Sequence, residues 1–316
     1  MSAPALTNPA VSPDSWRPAS AGGQRRKSLR KLLTGLAFIS PWLVGALVFQ
    51  VYPFFASLYY SFRDTTMLNN GDFVGLENYR DLMHDDLFWT SLKNTLYYTI
   101  ASVVIGSVLA IGLALLLNRP VRAQGIYRSI IYLPTIVPLV AASVVWIYIL
   151  HPAYGPMNYE LGKVGLPTPG WFSDPKWAMP GLILIGLWGI GNVVIIYLAG
   201  LQDIPTELYE AAEMDGASSL RKHRDVTLPL LTPVILFNSI IGLISGFQYF
   251  VEPYVITQGG PADATITYGL YLYQNAFNYF KMGYASAMAW ILFVIIMVVT
   301  LVVMRSSSRW VFYQGR

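Results

Sequence analysis

Residues 94–117 read NTLYYTIASVVIGSVLAIGLALLL, and they decide the fold. These 24 residues carry no Asp, Glu, Lys or Arg. As a helix rising 1.5 Å per residue they would reach about 36 Å. The hydrocarbon core of a bilayer is roughly 30 Å thick, so the stretch predicts a membrane-spanning helix. The pattern recurs on both sides of it. Charge-poor apolar stretches lie at about 32–62, 127–150, 178–201, 228–250 and 285–304, which predicts six transmembrane helices in an all-α membrane protein.

The whole composition agrees. Of 316 residues, 54% are hydrophobic and only 12% are charged, whereas soluble domains carry roughly a quarter charged. The net charge of +4 is modest. The basic residues sit in short loops rather than on one face, so the expected partner is membrane lipid and not nucleic acid. There is no cysteine, which excludes disulfides, thiolate metal sites and a cysteine nucleophile.

Residues 1–24 are rich in Ala, Ser, Pro and Gly and read as a disordered cytoplasmic tail; residues 25–316 read as the membrane domain. The basic run Arg25, Arg26, Lys27, Arg30 and Lys31 precedes the first span. A signal peptide would have an apolar region of only about 7–15 residues, so this longer stretch reads as an uncleaved span. Lys and Arg set the orientation. With the N-terminus cytoplasmic, the inner loops hold Arg119, Arg122 and Arg128, then Arg221, Lys222 and Arg224, then Arg305, Arg309 and Arg316. The longer outer loops hold fewer: Arg63, Arg80, Lys93, Lys163, Lys176 and Lys281. The protein is therefore expected to be multi-pass in a bacterial inner membrane with both termini cytoplasmic.

Proline recurs in or beside the spans, at Pro41, Pro53, Pro134, Pro138, Pro229 and Pro233. Each removes a backbone donor and kinks a helix, which lipid tolerates only where protein or a cavity satisfies the freed carbonyls. Gly106, Gly112, Gly186, Gly189 and Gly191 suit close helix packing. Composition leaves bundle packing and a solute pathway equally open.

The loop at 202–227 breaks the apolar pattern. From Ile204 it runs IPTELYEAAEMDGASSLRKHRDVTLPLLTPVI. Pro205 and Thr206 suggest a helix start with Thr206 as cap, and Gly216 suggests its end. A second short helix is expected over 218–224. The pair Ala211 and Ala212 offers a flat patch for a partner, and Glu210 offers a charge.

Glu210-Ala211-Ala212, three residues, Gly216, nine residues, Val226, one residue and Leu228-Pro229 resemble the EAA signature of ABC importer permeases, with Val for Ile the one change. The resemblance implies that this loop is the coupling helix for a cytoplasmic ATPase, with Glu210, Ala211, Ala212, Asp215, Gly216 and His223 as coupling residues. Position 223 is commonly a bulky aromatic in that family. Phe73-Val-Gly-Leu-Glu-Asn-Tyr79, Trp171-Phe-Ser-Asp-Pro175 and Thr257-Gln-Gly-Gly-Pro261 are similar to the carbohydrate class, the MalF/UgpA branch, although Gln258 takes a usual Gly position. A type I ABC importer permease (MetI-like) fold follows from the resemblance. So do three partners: a second MalG/UgpE-like permease, an ATPase dimer and an extracytoplasmic solute-binding protein.

The chain contains no G-x-x-x-x-G-K-[ST], so this chain is expected to bind no cofactor; ATP and Mg would act in the partner ATPase. It is not expected to be an enzyme, and no catalytic residue is assigned. His84, His151 and His223 lie in separate loops without metal-ligand spacing, so no metal site is expected. Spans four and five carry Trp188, Asn192, Asn238, Ser245, Gln248, Tyr249 and Glu252, polar or aromatic groups of the kind that hold sugars. Asn238 reads better as a packing residue. Matching the maltose-type permease motif by motif implies a substrate pathway of Thr135, Gly189, Ser245, Gly246 and Tyr249, to which Trp188 is added as a stacking face. Ser245 and Tyr249, four apart, are expected on one helix face. The function read here is ATP-driven import of a sugar or related carbohydrate, glycerol phosphate included. The alternative is a secondary transporter driven by an ion gradient.

Overall fold

The computed structural model describes residues 21–66, 69, 71–120 and 122–312. The expected tail lies outside these residues over 1–20; its last four residues belong to the first helix. Among the described residues the fold is helical, with no named strand. The chain divides after Ser57 into two units.

The first unit holds α1 (Ala21–Ala46), which contains Pro41 and runs through a π turn at Leu47–Val51 into α2 (Tyr52–Ser61), within which the division falls. Lys31–Ser61 is long and apolar enough to cross a membrane.

In the second unit a short α3 (Glu77–Met83) leads to α4 (Asp86–Leu117), which begins eight residues before the charge-free stretch. Asp85 explains the early start. Its Oδ1 accepts the N–H groups of Leu87 and Phe88 at 2.9 and 3.3 Å, satisfying two orphan donors of the first turn. Next come α5 (Gln124–Tyr132), a 3-10 turn at Leu133–Ile136, and α6 (Leu139–Ile149), which meets α5 at 100°. Pro134 and Pro138 cause this bend: Val137 is forced into extended backbone ahead of Pro138. After α7 (Pro156–Lys163), α8 (Pro175–Trp188) and α9 (Gly191–Gln202) form a second pair, bent by 50° around Gly189 and Ile190. The loop helices α10 (Thr206–Met214) and α11 (Ser219–Lys222) precede α12 (Leu228–Phe247); α13 (Tyr268–Tyr273) and α14 (Met282–Ser307) follow. Among the described residues four helices are each long and apolar enough to cross a membrane, or up to six spans if each bent pair counts as one.

α4 is the central element, packed against α12, α9 and α8. Its small residues Ala110 and Ala114, one turn apart, bury against Val194, Tyr197 and Leu198 of α9 and Leu231 of α12. The two bends nest together: a Cβ on Gly191 would lie 2.3 Å from the Ile131 carbonyl oxygen and 3.0 Å from Tyr132 Cα.

A cap outside the spans joins distant parts of the chain. Asp85 Oδ2 accepts hydroxyl hydrogen bonds from Tyr271 and Tyr284, each at 2.5 Å. Burial alone would raise this carboxyl. The two tyrosines and the α4 amides outweigh burial and hold it below its ordinary value. Burial and the facing carboxylate push the Tyr271 hydroxyl up to about 12. Asn94 donates to the carbonyls of Asp263 and Ile266, and Thr95 Oγ1 accepts the N–H of Tyr268. Gln258 adopts φ +51°, a left-handed backbone that suits the glycine usual at that position.

Candidate functional site

The loop expected to couple, at 202–227, is built from local rules. α10 is capped by Pro205 and not by Thr206, because Pro205 is already extended and Thr206 is the first helical residue. The helix ends in a Schellman motif: Gly216 N–H donates to Glu213 and Ala217 N–H to Ala212, both at 2.9 Å. Gly216 has φ +73°, where a Cβ would be strained. Ser218 caps α11 by accepting the N–H of Arg221, and Lys222 Nζ pairs with Glu213 at 2.5 Å. Glu210, Ala211 and Asp215 are exposed, and Ala212 is half-buried.

His223 takes a different part from an outward aromatic. Its Nδ1 lies 3.3 Å from Thr227 Oγ1, and Tyr209 OH lies 3.0 Å from the same oxygen. Thr227 is buried, so the three side chains tie α10 to the start of α12. The exposed tip is apolar: Met214 is 90% and Leu220 78% exposed. Sequence reasoning passed over both, although their apolarity beside the glycine bend was a readable signal.

The six pathway residues lie together. Thr135, Trp188, Gly189, Ser245, Gly246 and Tyr249 all line one cavity of about 660 Å³, within the size range of solute sites. Each bend contributes: Thr135 comes from the proline break, and Trp188 and Gly189 from the glycine break. Thr135 Oγ1 donates to the Tyr132 carbonyl at 2.7 Å. Trp188 is 40% exposed and meets Trp146 edge-on at 5.9 Å. Gly246 lies against Thr99, where a Cβ would come within 2.7 Å of the threonine methyl. Asn238 also lines the cavity, while donating to its own helix at Val234 O.

Two expectations need correction. α12 stops at Phe247, so Tyr249 follows the helix in a turn and does not share a helix face with Ser245. Tyr249 also does not offer a free ring face. It is 8% exposed and stacked on Tyr98, with centroids 3.7 Å apart and planes at 11°. Among the pathway residues, Trp188 keeps an accessible ring.

The wall that sequence reasoning missed is α4. Tyr98, Ser102, Gly106 and Ser107 line the cavity, a polar stripe at helical spacing inside an apolar run. No potential metal site occurs among the described residues.

Residues 102–312 match the family described as the binding-protein-dependent transport system inner membrane component. The chain belongs to this family. The permease is 40% identical over 299 residues to the probable ABC transporter permease protein YesP of Bacillus subtilis, covering 93% of this chain and 96% of that one. It is 34% identical to the sulfoquinovosyl glycerol transport system permease protein SmoG of Agrobacterium fabrum, covering 86% and 90%. It is 33% identical to the trehalose/maltose transport system permease protein MalF of Thermococcus litoralis, covering 87% and 94%. A chain of the crystal structure of a bacterial alginate ABC transporter, solved with a pentasaccharide-bound periplasmic protein, superposes with a TM-score of 0.77 at 24% identity. That match covers 90% of the permease and 96% of the other chain. The fold is thus the all-α, MetI-like permease fold, and the permease is an inner-membrane transport subunit.

Proposed function

We propose that the permease forms one half of the pore of an ATP-driven importer for a sugar or related carbohydrate solute. The observation that carries the reading is the Glu210-to-Pro229 pattern, borne by an exposed two-helix loop. It occurs in a chain related along nearly its whole length to permeases named for trehalose/maltose and sulfoquinovosyl glycerol transport. The loop docks on an ATPase subunit of a pair, and a second permease completes the pore. A solute-binding protein delivers cargo from outside. ATP and Mg act in the ATPase; this chain binds neither.

The orientation places the loop and both termini in the cytoplasm, as the Lys and Arg distribution favours. The Phe312 N–H donates to Thr232 Oγ1 at 2.9 Å, which sets the described C-terminal end beside the loop end of α12. Docking of loaded receptor and ATP moves the coupling loop, and α12 carries that movement to the cavity wall.

Mild-detergent purification of the tagged permease tests this assembly. A second permease and an ATPase subunit should co-purify. A lone chain that transports without ATP would overturn the reading and favour a gradient-driven carrier.

A further inference from the structure

A second cavity lies outside the spans, at the end of α4 away from the 202–227 loop. Its volume is about 450 Å³, and it is walled by the turn after α2, by α3, and by the segment from α13 into α14. The hydrogens of its polar side chains are largely spent inside the protein. Tyr271 and Tyr284 donate their hydroxyls to Asp85. Asn78 gives its amide hydrogens to the carbonyls of Ser61 and Arg63, and Asn275 donates to the Tyr271 carbonyl and to Met288 Sδ. His84 Nδ1 lies 2.8 Å from the Arg80 carbonyl oxygen, so it carries the proton and leaves Nε2 of the neutral ring to accept. What remains is a set of acceptors. Asn78 and Asn275 are 8% and 3% exposed, yet no hydrogen bond among the described residues reaches either Oδ1. Amide oxygens on such buried side chains are normally paired, and these have only the cavity in which to find a partner. Asp64 and Asp81 add two carboxylates that belong to no ion pair among the described residues. Lys281 is the one lysine or arginine on the wall, and its Nζ lies 6.0 Å from the Tyr284 ring centroid, not on a carboxylate.

We propose that this cavity receives a donor-rich cation: the guanidinium or ammonium group of an Arg or Lys side chain on the solute-binding protein. The inference rests on the import reading above and deepens it by placing one receptor contact. Guanidinium and ammonium groups present several N–H donors and no acceptor, which complements a wall that has acceptors and few hydrogens left to give. The carboxylates of Asp64, Asp81 and Asp85 against the single Lys281 supply the matching charge. A bare metal ion fits less well, since no group of three His, Cys, Asp or Glu placed to hold one occurs among the described residues. The receptor supplies the occupant because the cavity lies at the end of α4 opposite the loop proposed to meet the ATPase. Asp85 caps α4, and α4 runs on to Tyr98 and Ser102 on the wall of the solute cavity. A side chain seated here therefore touches the cap of the element that lines the solute path.

The test uses the permease assembled with its second permease and ATPase in lipid nanodiscs, and the purified binding protein that stimulates its ATP hydrolysis. Binding of that protein is measured by biolayer interferometry at low and moderate salt. Asp64→Asn with Asp81→Asn should weaken it about tenfold or more, the usual loss for a charge-assisted hydrogen bond, and should flatten its dependence on salt. Asp64→Lys with Asp81→Lys should weaken it further. Neither pair should move the permease's melting temperature, because both side chains are exposed and make no ion pair among the described residues.

A second readout needs no receptor: carbodiimide modification of Asp64 and Asp81 in the same complex, followed by mass spectrometry. Methylguanidinium should slow the modification, and tetramethylammonium, a cation without donors, should not at equal concentration. Receptor binding unchanged in the Asn pair, or equal effects of the two cations, overturns the site. So does carbodiimide cross-linking of Lys281 to either aspartate, which would mean that the permease fills the cavity with its own lysine. Protection by methylguanidinium in a complex that binds no receptor and takes up solute without ATP would instead overturn the import reading, and the receptor as occupant with it.

Discussion

Leu220, at the exposed tip of the coupling loop, and Ser245, on the cavity wall, lie on one helix unbroken from Ser219 to Phe247. At 1.5 Å per residue they are about 38 Å apart along its axis. A helix is stiff, so a push at Leu220 is carried toward Ser245 and Gly246 along one continuous element. The π turn at His223–Thr227 and Pro233 inside α12 are its irregular points. Tyr209 and His223 brace that turn through Thr227.

The loop itself must be rigid to pass that push on. Gly216→Pro forces φ from +73° to near −65° and deletes the N–H bonded to Glu213. Glu210→Lys reverses an exposed charge on the face proposed to meet the ATPase. Each change should abolish uptake and receptor-stimulated ATP hydrolysis while membrane insertion stays normal. Near-normal uptake in both would show that the loop is a connector only.

Met214 and Leu220 supply exposed apolar surface at the loop tip. Burying such a side chain contributes about 1.5–3 kcal/mol. The double change Met214→Ser with Leu220→Ser should therefore weaken ATPase retention during purification by at least tenfold. The permease's own melting temperature in detergent should hardly move, because neither side chain packs inside it.

Gly191 holds the two bent pairs together. Gly191→Ala puts a methyl 2.3 Å from the Ile131 carbonyl oxygen, a backbone atom that cannot swing aside. Overpacking of this kind costs about 1–3 kcal/mol. A lower melting temperature in detergent and reduced uptake, with the ATPase still bound, is the expected result.

Asp85 gives the cap beyond the spans a pH dependence whose sign can be worked out. Its folded-state pKa is depressed below the ordinary value of 3.8. The stability it contributes is therefore full above that value and is lost as pH falls through the lower, folded one. Asp85→Asn keeps a helix cap but gives the Tyr271 and Tyr284 hydroxyls a neutral acceptor in place of a charged one, which should destabilise the protein at neutral pH by about 1 kcal/mol. The gap between variant and wild type should close only below about pH 4. Thermal melts of both proteins across pH 3–8 measure it.

Much of the fold was legible in the sequence because bilayer thickness sets a length that composition must meet. The spans at 32–62 and 285–304 differ from helices 31–61 and 282–307 by only a few residues. The first bend was signalled by Pro134 and Pro138, whereas Gly189 and Gly191 were read for close packing; the angles depend on how two helices nest, which no local pattern states. The loop's end at Gly216 followed from turn chemistry. Thr206 was misread because the extended backbone of Pro205 already provides the cap position. Tyr249 was placed on a helix that in fact stops at Phe247, and its ring is covered by Tyr98. The α4 wall was missed because its hydroxyls are thinly spread along a run read as uniformly apolar. Their meaning appears only once α12 is set against them.

The most direct test of the central claim is solute uptake into proteoliposomes holding the purified complex, with receptor outside and ATP inside, after ionophores have collapsed every ion gradient. The account predicts uptake that continues under these conditions and stops when ATP is replaced by a non-hydrolysable analogue. Uptake that ceases with the gradients and is indifferent to ATP would contradict it.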